Sequence, residues 1–218
     1  MVSPTLPRKR EWTLPQMKIL LDVGCGPFPL DGYIGLDPVV RAKWENKNRQ
    51  DRKMVTRFPL LPPKSGSGFI VSRDQLELMT FPTIITGSMT QMPIASGVVD
   101  HICCSHALEH LDKHEVPRAL AEFYRVLAPG GSFMIEVPDL VAICELYAKH
   151  VKENKPDARD WPMDTIFGNQ DDAGQYHKTG FTPRILRNML ETTGFKDVRL
   201  KCDVISHSQP CIVAEGVK

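Results

Sequence analysis

No apolar run in this 218-residue chain approaches the length of a membrane-spanning helix, so nothing in it reads as a bilayer anchor. Cys-x-x-Cys spacing is also missing. The six cysteines (Cys25, Cys103, Cys104, Cys144, Cys202 and Cys211) are scattered, without the paired spacing of zinc or dithiol sites. Most lie in apolar strand-like or helix-like contexts, where reduced, buried thiols are expected, and with them a cytoplasmic setting. The net charge of +1 leaves no bulk attraction to nucleic acid or to a membrane surface. No repeat or heptad pattern is visible. The opening MVSPTLPRKREWTLP has no signal-peptide core. Pro4, Pro7 and Pro15 oppose regular structure there, so residues 1–16 are expected to form an irregular arm. Its Arg8-Lys9-Arg10 cluster is read as solvated rather than phosphate-binding.

What is present is an ordinary globular composition, 42% hydrophobic and 24% charged, in a length that suits one α/β domain over residues 17–218. The organising stretch is KILLDVGCGPFPLDGYIGLDP, residues 18–38. Ile19-Leu20-Leu21 has the continuous apolar character of a buried parallel strand. It runs into Asp22 and then Gly24-Cys25-Gly26, a turn whose glycines let the backbone bend sharply and approach a ligand closely. A second strand, Tyr33-Ile34-Gly35-Leu36, ends in Asp37. An acid at that strand tip is where nucleotide-binding α/β folds place the acceptor for ribose hydroxyls.

The combination of Asp22, the glycine turn and Asp37 resembles the first motif of the class I S-adenosylmethionine-dependent methyltransferases, acid-x-Gly-x-Gly. The dinucleotide pattern Gly-x-Gly-x-x-Gly does not fit, because Pro27, Phe28 and Pro29 follow Gly26. The chain departs from the family in one respect. Only residues 27–32 separate the turn from the second strand, too few for the helix of a βαβ unit. Extended, they reach about 20 Å, roughly one strand length, which permits a direct return. A subgroup of small methyltransferases is similar in this shortened unit. The resemblance implies an α/β, Rossmann-like doubly wound fold, with a mostly parallel sheet of about seven strands and an antiparallel C-terminal edge. Its first crossover helix is expected to be shortened or absent.

Residues 39–82 read as a basic loop or insertion: Arg41 to Lys64 holds eight Lys/Arg against two acids, and Ser65-Gly66-Ser67-Gly68 follows. A short hairpin or helix is expected near Leu76–Met79, and Thr83-Ile84-Ile85-Thr86 is a β-branched third strand. The next stretch, GSMTQMPIASGVVDHICCSHALEHL, resembles the family segment that ends in Leu-Glu-His. In it Ser88 stands where the family has an aspartate facing the adenine amino group, and Met89 is placed against the ring. A fourth strand, Val99 to Cys104, delivers His106, Glu109 and His110 to its carboxyl end. His106 and His110 have an i,i+4 spacing that can hold zinc, but no third ligand is evident, so no metal is expected.

An amphipathic helix is expected over His114–Leu127 with Asp112 as its cap, followed by a fifth strand, Ser132–Pro138. YRVLAPGG before that strand is a further family signature. Asp139 is read as the cap of a helix to Lys152, and Thr182-Pro183 as the start of one to Thr193. Phe195 to Cys202 and Gln209 to Glu215 are the last two strands. The glycine-flanked loop holding Tyr176, His177 and Lys178 matches the same subgroup, and its side chains have the chemistry of a substrate site rather than of packing.

From the resemblance, S-adenosylmethionine is the implied cofactor and S-adenosylhomocysteine the product. Gly24, Cys25 and Gly26 would meet the methionine portion, Asp22 its amino group, Asp37 the ribose diol, and Ser88 and Met89 the adenine. His106 and His177 are the base candidates; Tyr176 and Lys178 are expected to contact the acceptor. The acceptor is read as the O or N nucleophile of a small or sugar-type molecule. A nucleic-acid or protein acceptor held by residues 41–64, or a non-catalytic scaffold, are the alternatives. No membrane partner is expected.

Overall fold

The computed structural model describes residues 18–26, 29–38, 56–58, 70–79, 83–153, 161–170, 174–207 and 209–218. The expected N-terminal arm and most of the basic 39–82 segment lie outside them.

Among the described residues eight strands form one sheet: β1 (Leu20–Val23), β2 (Ile34–Asp37), β3 (Thr56–Phe58), β4 (Thr83–Thr86), β5 (Val99–Ser105), β6 (Leu127–Pro138), β7 (Lys196–Ser206) and β8 (Gln209–Val217). Their spatial order is β3-β4-β2-β1-β5-β6-β8-β7. The strands from β3 to β6 run parallel, with Leu21 opposite Ile34 on one side and Ile102 on the other. β8 pairs antiparallel with β6, and β7 antiparallel with β8, which makes the expected hairpin edge. Leu21, Val23, Leu36, Ile85 and Ile102 are fully buried, as strands covered on both faces require.

The chain moves from β1 to β2 on one side and later returns to β5 on the other. Strand succession therefore reverses at β1, and ligands of open α/β sheets bind beyond the carboxyl ends of the strands at such a point. Among the described residues between β1 and β2 there is no helix, only turns at Gly24–Gly26 and Asp31–Gly32. The shortened first unit is thus present as read.

Three boundaries differ from the sequence reading. β3 was hidden in the basic segment: three residues, Thr56 to Phe58, pair with Thr83 to Ile85, a run too short to show a period. β6 begins at Leu127, before the glycines. Its pairing with β5 jumps between Val99↔Leu127 and His101↔Ser132, and Gly130, at φ 75°, lets the intervening chain swing out. The helix after β5 is capped at Glu115, because the Asp112 carbonyl, not its side chain, accepts the N–H groups of Glu115 and Val116.

Among the described residues five α-helices flank the sheet: α1 (Arg73–Glu77), α2 (Val116–Val126), α3 (Leu140–Lys152), α4 (Trp161–Phe167) and α5 (Pro183–Thr193). None of the described helices is long and apolar enough to cross a membrane. α2 turns Val116, Ala119, Leu120, Phe123 and Val126 into the core, the stripe its spacing implied. α3 and α5 carry the caps that were read: Asp139 Oδ1 accepts the Val141 and Ala142 N–H groups at 3.0 and 3.3 Å, and Thr182 Oγ1 accepts Ile185 N–H at 3.3 Å. Between α4 and α5 the chain crosses the carboxyl end of β6. There Phe181 is buried and its carbonyl accepts the Leu140 N–H at 3.0 Å. Phe181→Ala should therefore lower unfolding free energy by about 3–5 kcal/mol, read as a fall in the denaturant midpoint.

Candidate functional site

The turn after β1 is built on two carboxylates. Gly26 donates its N–H to Asp37 Oδ2 at 2.9 Å, and Leu30 donates its N–H to Asp22 Oδ2, also at 2.9 Å. Gly24 donates to the Leu36 carbonyl at 2.8 Å. The turn is thereby pinned to the tips of both β1 and β2. Gly24 sits at φ 75°, and a Cβ on it would overlap Ala107 and lie 3.6 Å from Met89 Cε. Both conformation and space demand glycine there.

Asp22 is buried beneath this turn. Burial pushes its carboxyl up to about 6; the Leu30 N–H opposes the rise and the negative charge of Asp37 adds to it. Cys25 turns its sulfur away from the turn's open side: a Cβ on Gly35 would lie 2.6 Å from it. Burial, then the charges of Asp22 and Asp37, push the Cys25 thiol up. The same causes act nearby. Cys103 is raised to about 12, first by burial and then by Asp22, and the fully buried Cys104 is raised as well.

Ser88 and Met89 follow β4, beside the tip of β2, where Gly87 donates to the Asp37 carbonyl at 3.2 Å. The Ser88 hydroxyl lies 2.8 Å from Thr90 Oγ1 and accepts the Thr90 N–H at 3.2 Å. Met89 is buried against Gly24. Asp22, Gly24, Gly26, Asp37, Ser88 and Met89 are thus brought together at the reversal point of the sheet.

A second group gathers after β5. His106 takes φ 48°, uncommon for a side-chain-bearing residue, and donates its backbone N–H to the Glu136 carbonyl at 3.0 Å. The bend aims its ring at β6 and β8. Nδ1 lies 3.3 Å from Glu109 Oε1 and 3.2 Å from Gln209 Nε2; Nε2 lies 3.6 Å from Cys211 Sγ and 3.9 Å from Glu136 Oε1. Burial alone would lower the ring's pKa, but the Cys211 and Glu109 contacts outweigh it and raise it to about 10.

A 3-10 turn, Leu108–His110, then presents Glu109 and His110. His106 and His110 do not act as the pair their spacing suggested, because the segment is not a continuous α-helix. His110 instead meets His177, ring centroids 5.0 Å apart in an edge-on arrangement. The loop that carries His177 is fixed to the turn by its main chain: Lys178 and Thr179 donate N–H groups to the Glu109 carbonyl at 2.7 and 3.1 Å. Thr179 Oγ1 adds a bond to the Leu111 carbonyl at 2.7 Å.

Two carbonyls orient the imidazoles. His177 Nδ1 lies 2.8 Å from the Thr165 carbonyl, and His110 Nδ1 lies 3.1 Å from that of Tyr176. A carbonyl only accepts, so each Nδ1 carries a proton, and in the neutral ring Nε2 is then the atom with the lone pair. Burial lowers the His177 pKa, partly offset by the charge of Glu109. Lys178 faces outward, 3.9 Å from Asp112 Oδ1, in an exposed pair. The Tyr176 side chain is likewise exposed.

Glu109, Glu136, Gln209 and Cys211 were not among the expected site residues. The Leu-Glu-His run held a signal for Glu109. Nothing local ties Glu136 or the β8 residues to His106, since they arrive through sheet pairing alone.

A family model described as a methyltransferase domain matches residues 69–135. No functionally curated protein matches the chain. Among solved structures, a SAM-dependent methyltransferase of Methanosarcina mazei superposes with TM-score 0.55 at 16% identity, covering 94% of each chain. One from Thermotoga maritima gives 0.53 at 16% identity, covering 94% of this chain and 84% of its own. One from Archaeoglobus fulgidus gives 0.51 at 14% identity, covering 92% and 86%. At such identities the structural likeness speaks for the fold, and the family match speaks for residues 69–135. Residues 69–135 are thus similar to a methyltransferase domain, and the sheet has the fold of SAM-dependent methyltransferases.

Proposed function

We propose that the chain holds S-adenosylmethionine across the tips of β1, β2 and β4 and passes its methyl group to an oxygen or nitrogen of a small or sugar-type acceptor. The observation that carries this reading is the pair of carboxylates, Asp22 and Asp37, tied by backbone N–H groups to the glycine turn at the sheet's reversal point. In this reading the backbone of Gly24, Cys25 and Gly26 meets the methionine portion and Asp22 takes its ammonium group. Asp37 accepts from the ribose hydroxyls. Ser88 and Met89 border the adenine. Clustered negative charge also favours a cofactor that arrives with a cationic sulfur.

Methyl transfer is a displacement. The acceptor's lone pair forms a bond to the methyl carbon, the carbon–sulfur bond breaks, and sulfur leaves with that electron pair as a neutral thioether. The protein's main tasks are alignment and taking up the acceptor's proton. His106, held between Glu109, Glu136 and Cys211, is suited to orienting; it is a poor proton acceptor because its ring already binds one tightly. His177, with Nδ1 committed to a carbonyl, offers Nε2 for the proton. Tyr176 and Lys178 stand at the outer rim, where an acceptor would enter.

Calorimetric titration of the wild type with S-adenosylmethionine and S-adenosylhomocysteine should give one site per chain. Asp37→Ala should weaken it about ten- to a hundredfold, the worth of a charge-assisted bond. A folded wild type that binds neither compound overturns the reading. The site should also respond to pH. An ammonium group favours ionised Asp22, whose carboxyl holds its proton up to about pH 6 in the free protein. Cofactor affinity should be flat above that pH and fall by up to about tenfold per unit below it, a slope that Asp22→Asn removes.

A further inference from the structure

We propose that Glu109, His110 and His177 form a binding site for one divalent transition-metal ion. One carboxylate oxygen and a ring nitrogen from each histidine already lie within 4.8 Å of one another. Ligand bonds of about 2.0–2.2 Å would draw them closer by roughly 1 Å, within reach of side-chain rotation.

Two further observations point to a ligand. Both carboxylate oxygens of Glu109 are buried; Oε1 faces the His106 ring at 3.3 Å, while Oε2 accepts no hydrogen bond. A buried oxygen left without a donor is costly, and a bound cation would satisfy Oε2. Moreover, both imidazoles are held as metal-ligating histidines are held, with one ring N–H committed to a backbone carbonyl and the other nitrogen, in the neutral ring, left with its lone pair. The site is also preformed. The Glu109 carbonyl accepts two N–H groups from the loop bearing His177, so the two ligand-bearing segments keep their places without an ion.

Two imidazoles and one carboxylate, without thiolate, suit zinc or ferrous iron, and they leave coordination positions open to an oxygen donor. The ligand atoms of a second cluster, His106, Glu136 and Cys211, also lie within 4.8 Å of one another. It is already satisfied internally: Gln209 and Cys211 engage the two His106 nitrogens, and Ser105 donates to Glu136 at 2.8 Å.

The site stands on this geometry; its use in catalysis rests on the methyl-transfer reading. An acceptor hydroxyl on the ion would release its proton to water more readily, and its oxygen would then take the methyl group while sulfur keeps the electron pair. His177, once a ligand, would no longer receive that proton.

The test uses the full chain, freed of metal by a chelator and titrated with zinc by calorimetry and with cobalt(II) by visible absorption. One equivalent should bind, and the cobalt spectrum should lack a thiolate-to-cobalt charge-transfer band. Glu109→Gln and, separately, His177→Gln should each weaken binding by at least about tenfold. Circular dichroism checks that each variant is folded, and His110→Gln is a third variant should either fail to fold. The proposal is overturned if folded wild type binds no stoichiometric ion, or if folded variants bind as it does. It is equally overturned if a thiolate band appears and is lost in Cys211→Ser, which puts the ion on the other cluster. S-adenosylmethionine titration of the metal-free samples separates these outcomes from failure of the cofactor site.

Discussion

Returning from β1 to β2 with no helix among the described residues is the constraint on which the rest of the site depends. In an ordinary βαβ unit the first turn of the crossover helix supplies backbone N–H groups and a favourable dipole to a bound anion. Here the N–H groups of Gly26 and Leu30 are spent on Asp37 and Asp22 instead. The strand tips consequently present negative charge to the ligand. That suits a sulfonium cofactor with an ammonium group far better than a dinucleotide pyrophosphate. A missing helix thus selects cofactor chemistry as well as shortening the chain.

Much of this was legible in the sequence because it is local. The run Ile19 to Asp22, the glycine turn and the strand ending in Asp37 are contiguous, and each carries its own backbone reason. The β-branched run of β4 and the caps Asp139 and Thr182 were readable on the same terms. The parts that escaped are those made by distant segments. Glu136 and Cys211 reach His106 only because β6 lies between β5 and β8, an ordering that hairpin pairing decides and residue spacing does not. The spacing of His106 and His110 suggested a shared helical face. The left-handed backbone at His106 sends the two rings to different neighbours.

The proposed acceptor side and cofactor side are supported differently. Strand tips in the centre of the sheet hold Asp22, Gly24 and Asp37, and their backbone positions follow from the parallel register. The histidines hang on a 3-10 turn and a loop, joined to each other chiefly through the Glu109 carbonyl. Changes in the loop can therefore alter acceptor recognition while the cofactor half keeps its geometry. The reverse is harder, since a side chain at Gly24 would collide with Ala107 and disturb both halves together.

The state of the cysteines carries a chemical consequence. S-adenosylmethionine is an alkylating agent, and the nucleophile it reacts with in a thiol is the ionised form. Cys25 and Cys103 stand beside the carboxylates of the cofactor turn, and Cys104 is fully buried one residue further along β5. Burial, with the charge of Asp22 acting on all three, keeps these sulfurs protonated. If the turn holds the methyl donor as proposed, the same negative potential that attracts it also protects the protein from methylating itself.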